Sequence, residues 1–114
     1  MEESQRDNLR LKHIVEAAEH IANFIDSVSE EEFKADYEKQ SAVVKQLEII
    51  GEAASKLTPE FTKLHGEIDW PKVVGMRHKM IHEYFDIDVD IVWTTAVCDV
   101  PSLKEDIQKI LKLA

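Results

Sequence analysis

From Asp7 to Val28 apolar side chains return at steps of three and four: Leu11, Ile14, Val15, Ala18, Ile21, Ala22 and Ile25. That spacing marks one face of a helix and predicts a first long helix over 7–28. A second long helix is expected from Asp36 to Leu57, where Val43, Leu47, Ile50, Ala54 and Leu57 alternate by four and three, the seam of a bundle or an antiparallel helix pair. Two such helices take up so much of a 114-residue chain that a sheet has no place in the core. Three glycines and three prolines leave few turns, which argues against a β sandwich, and 44% hydrophobic residues argue against a disordered chain. The expectation is a single domain over 1–114, all-α, an up-and-down helical bundle built on two long antiparallel helices plus shorter C-terminal helices, with no repeats and no linkers.

The shorter elements follow from start and stop signals. Ser29-Glu30-Glu31-Glu32 has the spacing of a capping box and opens a short helical turn. Thr58-Pro59-Glu60 opens another short helix, with Gly66 its natural stop. Asp69-Trp70-Pro71 repeats the start signal and predicts a helix that carries Val73, Val74, Met80, Ile81 and Tyr84 and ends around Phe85, before a turn at Asp86-Ile87-Asp88. Val89, Val92, Trp93, Ala96 and Val97 mark a further helix. Pro101 either breaks that helix or begins the last one, which carries Leu103, Ile107, Ile110 and Leu111.

Charge limits what the chain can bind. Twenty-three acidic against fourteen basic residues give a net charge of −9, so there is no general attraction to nucleic-acid phosphates or anionic membranes, and any nucleic-acid site must be local. The single cysteine, Cys98, permits neither a disulfide framework nor a zinc finger within one chain, which suits a reducing compartment. No apolar stretch nears the roughly 20 residues that span a bilayer, and MEESQRDNLR has no apolar signal region, so a cytoplasmic location and no membrane partner are expected.

Functional side chains concentrate in Met76-Arg77-His78-Lys79-Met80-Ile81-His82-Glu83-Tyr84. His78 and His82, four residues apart, would share a helical face and could touch one ion. The HExxH pattern of zinc peptidases needs glutamate directly after the first histidine, where this chain has Lys79, and no further His or Cys stands near enough to complete a tetrahedron. No metal is expected. A second possibility is phosphate chemistry, because the Arg77 guanidinium matches phosphate oxygens and His82 can move protons near neutral pH. Five residues of helix would set Arg77 and His82 about 140° apart, a geometry that a wide groove or a second subunit would resolve. Tyr84, seven residues after Arg77, would return to nearly the same face. Spacing alone favours a structural Arg-His-Tyr hydrogen-bond network, the commoner fate of such a run.

The C-terminal half resembles the HepT-like branch of the HEPN superfamily, small all-helical toxins and nucleic-acid-linked domains. The resemblance is carried by Leu47-Glu48-Ile49-Ile50-Gly51-Glu52-Ala53-Ala54, by Asp69 through His78, by Ile81 through Asp88, by Val92-Trp93, and by Asp99-Val100-Pro101-Ser102-Leu103. The signature of that branch, Arg-x4-His-x-Tyr, falls on Arg77, His82 and Tyr84, with the polar position after Arg occupied by His78 where Asn is more usual. Lys45 stands where an Arg often precedes the Leu47–Ala54 segment.

That resemblance implies a HEPN-type bundle and a metal-independent endoribonuclease acting on RNA as a homodimer, with the motifs of two protomers facing across a cleft and no cofactor. It also implies a cognate minimal nucleotidyltransferase antitoxin that silences the toxin by transferring AMP to Tyr84. Arg77 and His82 would be catalytic, with His78, Tyr84 and Glu52 supporting them. The alternative is a catalytically weak HEPN protein that mainly binds a nucleotidyltransferase. Glu52 could orient Arg77, although an exposed helical glutamate is the commoner outcome. Gly51, unfavourable by about 1 kcal/mol relative to Ala inside a helix, suggests close approach of another helix. Trp70 and Trp93 read as core anchors, and His13, His20 and His65 carry no motif context.

Overall fold

A computed structural model describes residues 2–77, 81, 82 and 86–113 of the chain. The first long helix, α1 (Glu3–Ile25), starts earlier than the apolar repeat because the Glu2 amide donates to the Gln5 side chain at 3.2 Å and extends the N-terminus by a turn. It ends where Ser27 takes a left-handed backbone conformation, φ 60°, a turn without a glycine to announce it. The capping box at Ser29 forms as expected, with the Glu32 amide donating to the Ser29 hydroxyl and the Ser29 amide to the Glu32 carboxylate, and opens α2 (Glu30–Lys34). The second long helix, α3 (Tyr37–Ser55), is capped by Asp36, which accepts from the Lys39 amide.

Two polar contacts show that α1 and α3 run antiparallel. At one end Lys39, in the first turn of α3, donates from Nζ to the Phe24 carbonyl at the end of α1. At the other, Asp7 near the start of α1 is only 5% exposed and accepts from the Thr58 amide and hydroxyl at 2.9 and 2.7 Å, just past the end of α3. Thr58 in turn caps α4 (Pro59–Leu64). Between these tethers Leu11, Ile14 and Ile21 pack against Val43, Leu47 and Ile50, all fully buried. Each such side chain contributes about 1.5–3 kcal/mol relative to exposure.

The remaining elements close around that pair. Phe33 of α2 is fully buried, its ring 5.2 Å from that of Trp93, and the buried Gln40 amide donates to the Phe33 and Lys34 carbonyls, satisfying the end of α2. Asp69 caps α5 (Trp70–Gly75), which packs on α3. Trp70 is buried as a core anchor, its ring nitrogen donating to the His65 carbonyl. Asp88 caps α6 (Val89–Thr94), a π-helical turn follows over Thr95–Asp99, and α7 (Val100–Leu113) packs Leu103, Ile107 and Ile110 onto the core. Pro101 therefore sits in the first turn of α7. The wider π turn before it absorbs the ring that would clash with the carbonyl four residues back.

One expectation is overturned. The helix opened by Asp69 ends at Gly75 and does not run to Phe85; Met76 and Arg77 form a turn, and Ile81–His82 (β1) pairs antiparallel with Asp86–Ile87 (β2), His82 opposite Asp86. Gly75, a poor helix former, is the last residue of α5, and the buried Val73 and Met76 anchor the chain there, although Met80, Ile81 and Tyr84 would continue the apolar face in sequence. The wheel angle drawn from Arg77 to His82 thus does not apply, and neither does the wide groove or second subunit invoked to resolve it; Tyr84 lies outside the described residues.

Candidate functional site

The site begins with a missing side chain. A Cβ on Gly51 would lie 2.8 Å from both Cβ and N of Arg77 and 2.9 Å from the Val74 carbonyl oxygen. Bare backbone at this point of α3 lets the end of α5 settle directly on it, the close approach that a mid-helix glycine suggested. Arg77, whose amide donates to the Val74 carbonyl, is thereby held over the next residue of α3.

That residue is Glu52. Arg77 donates from Nη1 to Glu52 Oε2 at 3.0 Å, and Lys56 Nζ lies 3.7 Å from the other carboxylate oxygen. Glu52 is thus both exposed and paired. The Arg77 side chain retains a third of its exposure, so the pair contributes little stability, on the order of 0–1 kcal/mol, and its main effect is on the direction of the guanidinium.

The pair opens into a groove of about 460 Å³ between α1 and α3. Arg10 and His13 line it from α1, Lys45 and Glu48 from α3, and Ile49 and Ala53 form its floor. With Lys56 and Arg77 it gathers four permanent cations against the two carboxylates Glu48 and Glu52, on a chain whose net charge is −9. Among the described residues Arg10 and Lys45 have no ion-pair partner. Glu32 is held below the ordinary carboxylate value by hydrogen bonds from the Ser29 amide and hydroxyl, and Lys34 is raised by its hydrogen bonds to Asp90 and Glu30.

Of the residues singled out by sequence, Arg77 and Glu52 are brought together. His82 is described by its backbone in β1, while His78 and Tyr84 lie outside the described residues. Arg10, His13, Glu48 and Lys56 were passed over. Their signal was periodic all the same: Lys45, Glu48, Glu52 and Lys56 follow at steps of three, four and four along one face of α3, and Arg10 and His13 at a step of three on α1. Among the described residues no group of three His, Cys, Asp or Glu is placed to hold a metal ion, and no helix is long and apolar enough to cross a membrane.

Residues 14–110 match the family model described as ribonuclease HepT-like. The chain is 42% identical, over 98% of its own length and the whole of the relative's, to a protein of Thermococcus cleftensis named probable ribonuclease HepT. It is 37% identical to a candidate RNase of Caldanaerobacter subterraneus, over 90% of this chain and 91% of that one. Identity is again 37% to a candidate RNase of Methanocaldococcus jannaschii, over 90% of this chain and 84% of the relative. No solved structure matches the chain significantly. With a family match over most of its length and relatives that it covers nearly end to end, the chain belongs to the ribonuclease HepT-like family.

Proposed function

We propose that this protein is a metal-independent endoribonuclease, the toxin of a toxin-antitoxin pair, acting through Arg77 and His82. The observation that carries the reading is Arg77 seated on Gly51, directed by Glu52, and opening onto a groove in which cations outnumber carboxylates on an otherwise strongly acidic chain. The names of its relatives support RNA as the substrate.

In the proposed reaction a ribose 2′-hydroxyl attacks the adjacent phosphorus in line. The new O2′–P bond forms as the P–O5′ bond breaks, His82 takes the 2′ proton and returns a proton to the departing 5′ oxygen, and Arg77 stabilises charge on the phosphoryl oxygens. The products are a 2′,3′-cyclic phosphate and a 5′-hydroxyl. A homodimer would bring the two motifs to one cleft, and a nucleotidyltransferase antitoxin would silence the enzyme by joining the Tyr84 phenol oxygen to the α-phosphorus of ATP with release of pyrophosphate. The added phosphodiester brings a negative charge within seven residues of Arg77 in the chain, which opposes an incoming RNA phosphate.

The test is cleavage of RNA by unmodified protein in the presence of chelator. Arg77→Ala and His82→Ala are each expected to abolish it, an all-deoxy substrate to resist, and a mixture of the two variant chains to recover part of the activity through heterodimers. Undiminished cleavage by both single variants would overturn the site. Tyr84→Phe should keep much of the activity and escape silencing by the co-expressed antitoxin with ATP, and adenylyl mass on the Tyr84 peptide of the wild type is the direct reading.

A further inference from the structure

We propose that the α1–α3 groove is a track for the phosphodiester backbone of a single RNA strand, with Arg10, Lys45 and Lys56 as phosphate contacts that lead the strand to Arg77. The inference rests on the ribonuclease reading and adds to it where the substrate lies and how it is recognised.

Three features carry it. The first is charge against background: cations drawn from two helices and a turn converge on one groove while the chain as a whole repels polyanions, so this groove offers a local attraction. Availability is the second. Glu52 is engaged by Arg77 and Lys56, whereas Arg10 and Lys45 have no carboxylate partner among the described residues and keep their full charge for a ligand. The third is shape. Lys45 and Lys56 are eleven residues apart along α3, about 16 Å at helical rise, so the cations form a line rather than a point, as a phosphate chain requires and a lone phosphate does not.

The chemistry of the lining also fixes the mode of recognition. Ile49 and Ala53 give the groove an aliphatic lining, and among the described residues no Phe, Tyr or Trp lines it, the imidazole of His13 being its one ring. Stacking of bases on aromatic platforms is the usual source of affinity beyond the phosphates for single strands, so binding here runs through the backbone, tolerates sequence, and depends steeply on salt. Glu48 lines the same groove with no ion-pair partner among the described residues. A carboxylate in a phosphate track opposes the ligand, so removing its charge should strengthen binding, a gain that a merely structural residue would not give.

The experiment measures binding apart from cleavage, by fluorescence anisotropy of a short 2′-O-methyl oligoribonucleotide across a series of KCl concentrations. Lacking a 2′-hydroxyl, that probe cannot undergo the in-line reaction. The double variant Arg10→Ala/Lys45→Ala is expected to weaken binding tenfold or more at low salt and to flatten the slope of log K against log salt by about 1.4, since each lost single-strand contact removes about 0.7. Glu48→Gln should tighten binding about two- to fivefold. Lys109→Ala/Lys112→Ala on α7 changes net charge equally and should leave affinity within about twofold; an equal loss there would mean net charge alone is being read and would overturn the track. A wild type that fails to bind the probe overturns it as well. So does an unchanged slope in Arg10→Ala/Lys45→Ala, including the case in which that variant loses only its nucleotidyltransferase partner, which would make the groove a protein-docking surface. If the wild type binds with the expected slopes yet cleaves no RNA, the track stands and the ribonuclease reading falls; if it cleaves and the slopes do not move, the reverse holds.

Discussion

Along α1 and α3 the buried side chains fall where a regular helix puts them, whereas between Gly75 and Val89 the described backbone is a turn at Met76 and Arg77 and a two-residue antiparallel ladder. Both regions were read from the same kind of spacing, yet the rule held in one and failed in the other. In the long pair, residues such as Leu11, Ile14, Leu47 and Ile50 are fully buried, and each turn of helix adds apolar contact that outweighs the entropy of ordering it. At the end of α5 a glycine interrupts the helix ahead of the motif, so side chains at helical spacing, apolar ones such as Met80 and Ile81 included, are no evidence that a helix continues past it.

If stability lives in the α1–α3 pair and chemistry in the segment that follows α5, substitutions should separate the two. The largest effect on folding is expected from Leu47→Ala, which leaves a cavity in the middle of the pair and should cost about 2–5 kcal/mol in urea denaturation. Arg77→Ala, in contrast, should change stability by less than about 1 kcal/mol while removing cleavage. A stability loss at Arg77 as large as that at Leu47 would dissolve the distinction.

Next in size is Asp7→Ala. It removes both acceptors from the Thr58 amide and hydroxyl at the far end of the pair, and a loss of about 1–3 kcal/mol is expected, with RNA cleavage per folded molecule unchanged. Gly51→Ala tests the one place where the regions touch. The added methyl group meets the backbone of Arg77 and Val74, so overpacking of about 1–3 kcal/mol is offset by roughly 1 kcal/mol of helix propensity, and activity should fall further than stability. Equal falls in both would mean that the approach of α5 to α3 only packs the fold.

Smaller again is Glu52→Gln. Stability should move by no more than about 1 kcal/mol, while the loosened guanidinium lowers kcat by roughly ten- to a hundredfold and leaves KM unchanged or lower, because a carboxylate has also left the groove. The smallest effect concerns α2 and acid. Glu32 has its carboxyl pKa depressed by the Ser29 amide and hydroxyl, so the unfolded chain binds the proton more readily than the folded one. Its contribution is present above the ordinary Glu value of 4.5 and lost as pH falls through the lowered one. Glu32→Gln should therefore flatten the decline of the urea midpoint below that pH; an identical decline in both proteins would remove Glu32 from the acid sensitivity of the fold.

Much of the architecture was written in the chain, because it depends on neighbours in sequence. The apolar repeats of α1 and α3 and the caps at Ser29, Thr58 and Asp69 each act over three or four residues and appear where the spacing put them, while Asp36, read as the first residue of the second helix, is its cap. The exposed Glu52 was less legible, since nothing local says that Arg77, twenty-five positions later, arrives beside it; Gly51 gave the only hint. The groove was hidden for the same reason. Arg10 and Lys45 are unremarkable as single residues on amphipathic helices, and a net charge of −9 points away from them. Only the antiparallel pairing of α1 with α3, and the seating of α5 on a residue without a side chain, sets those charges around one space. Helix and cap are decided by hydrogen bonds and burial within a turn or two, so the sequence by itself determined them. A field is a sum over positions in space, and where its charges fall was settled by the packing of helices that are distant in the chain.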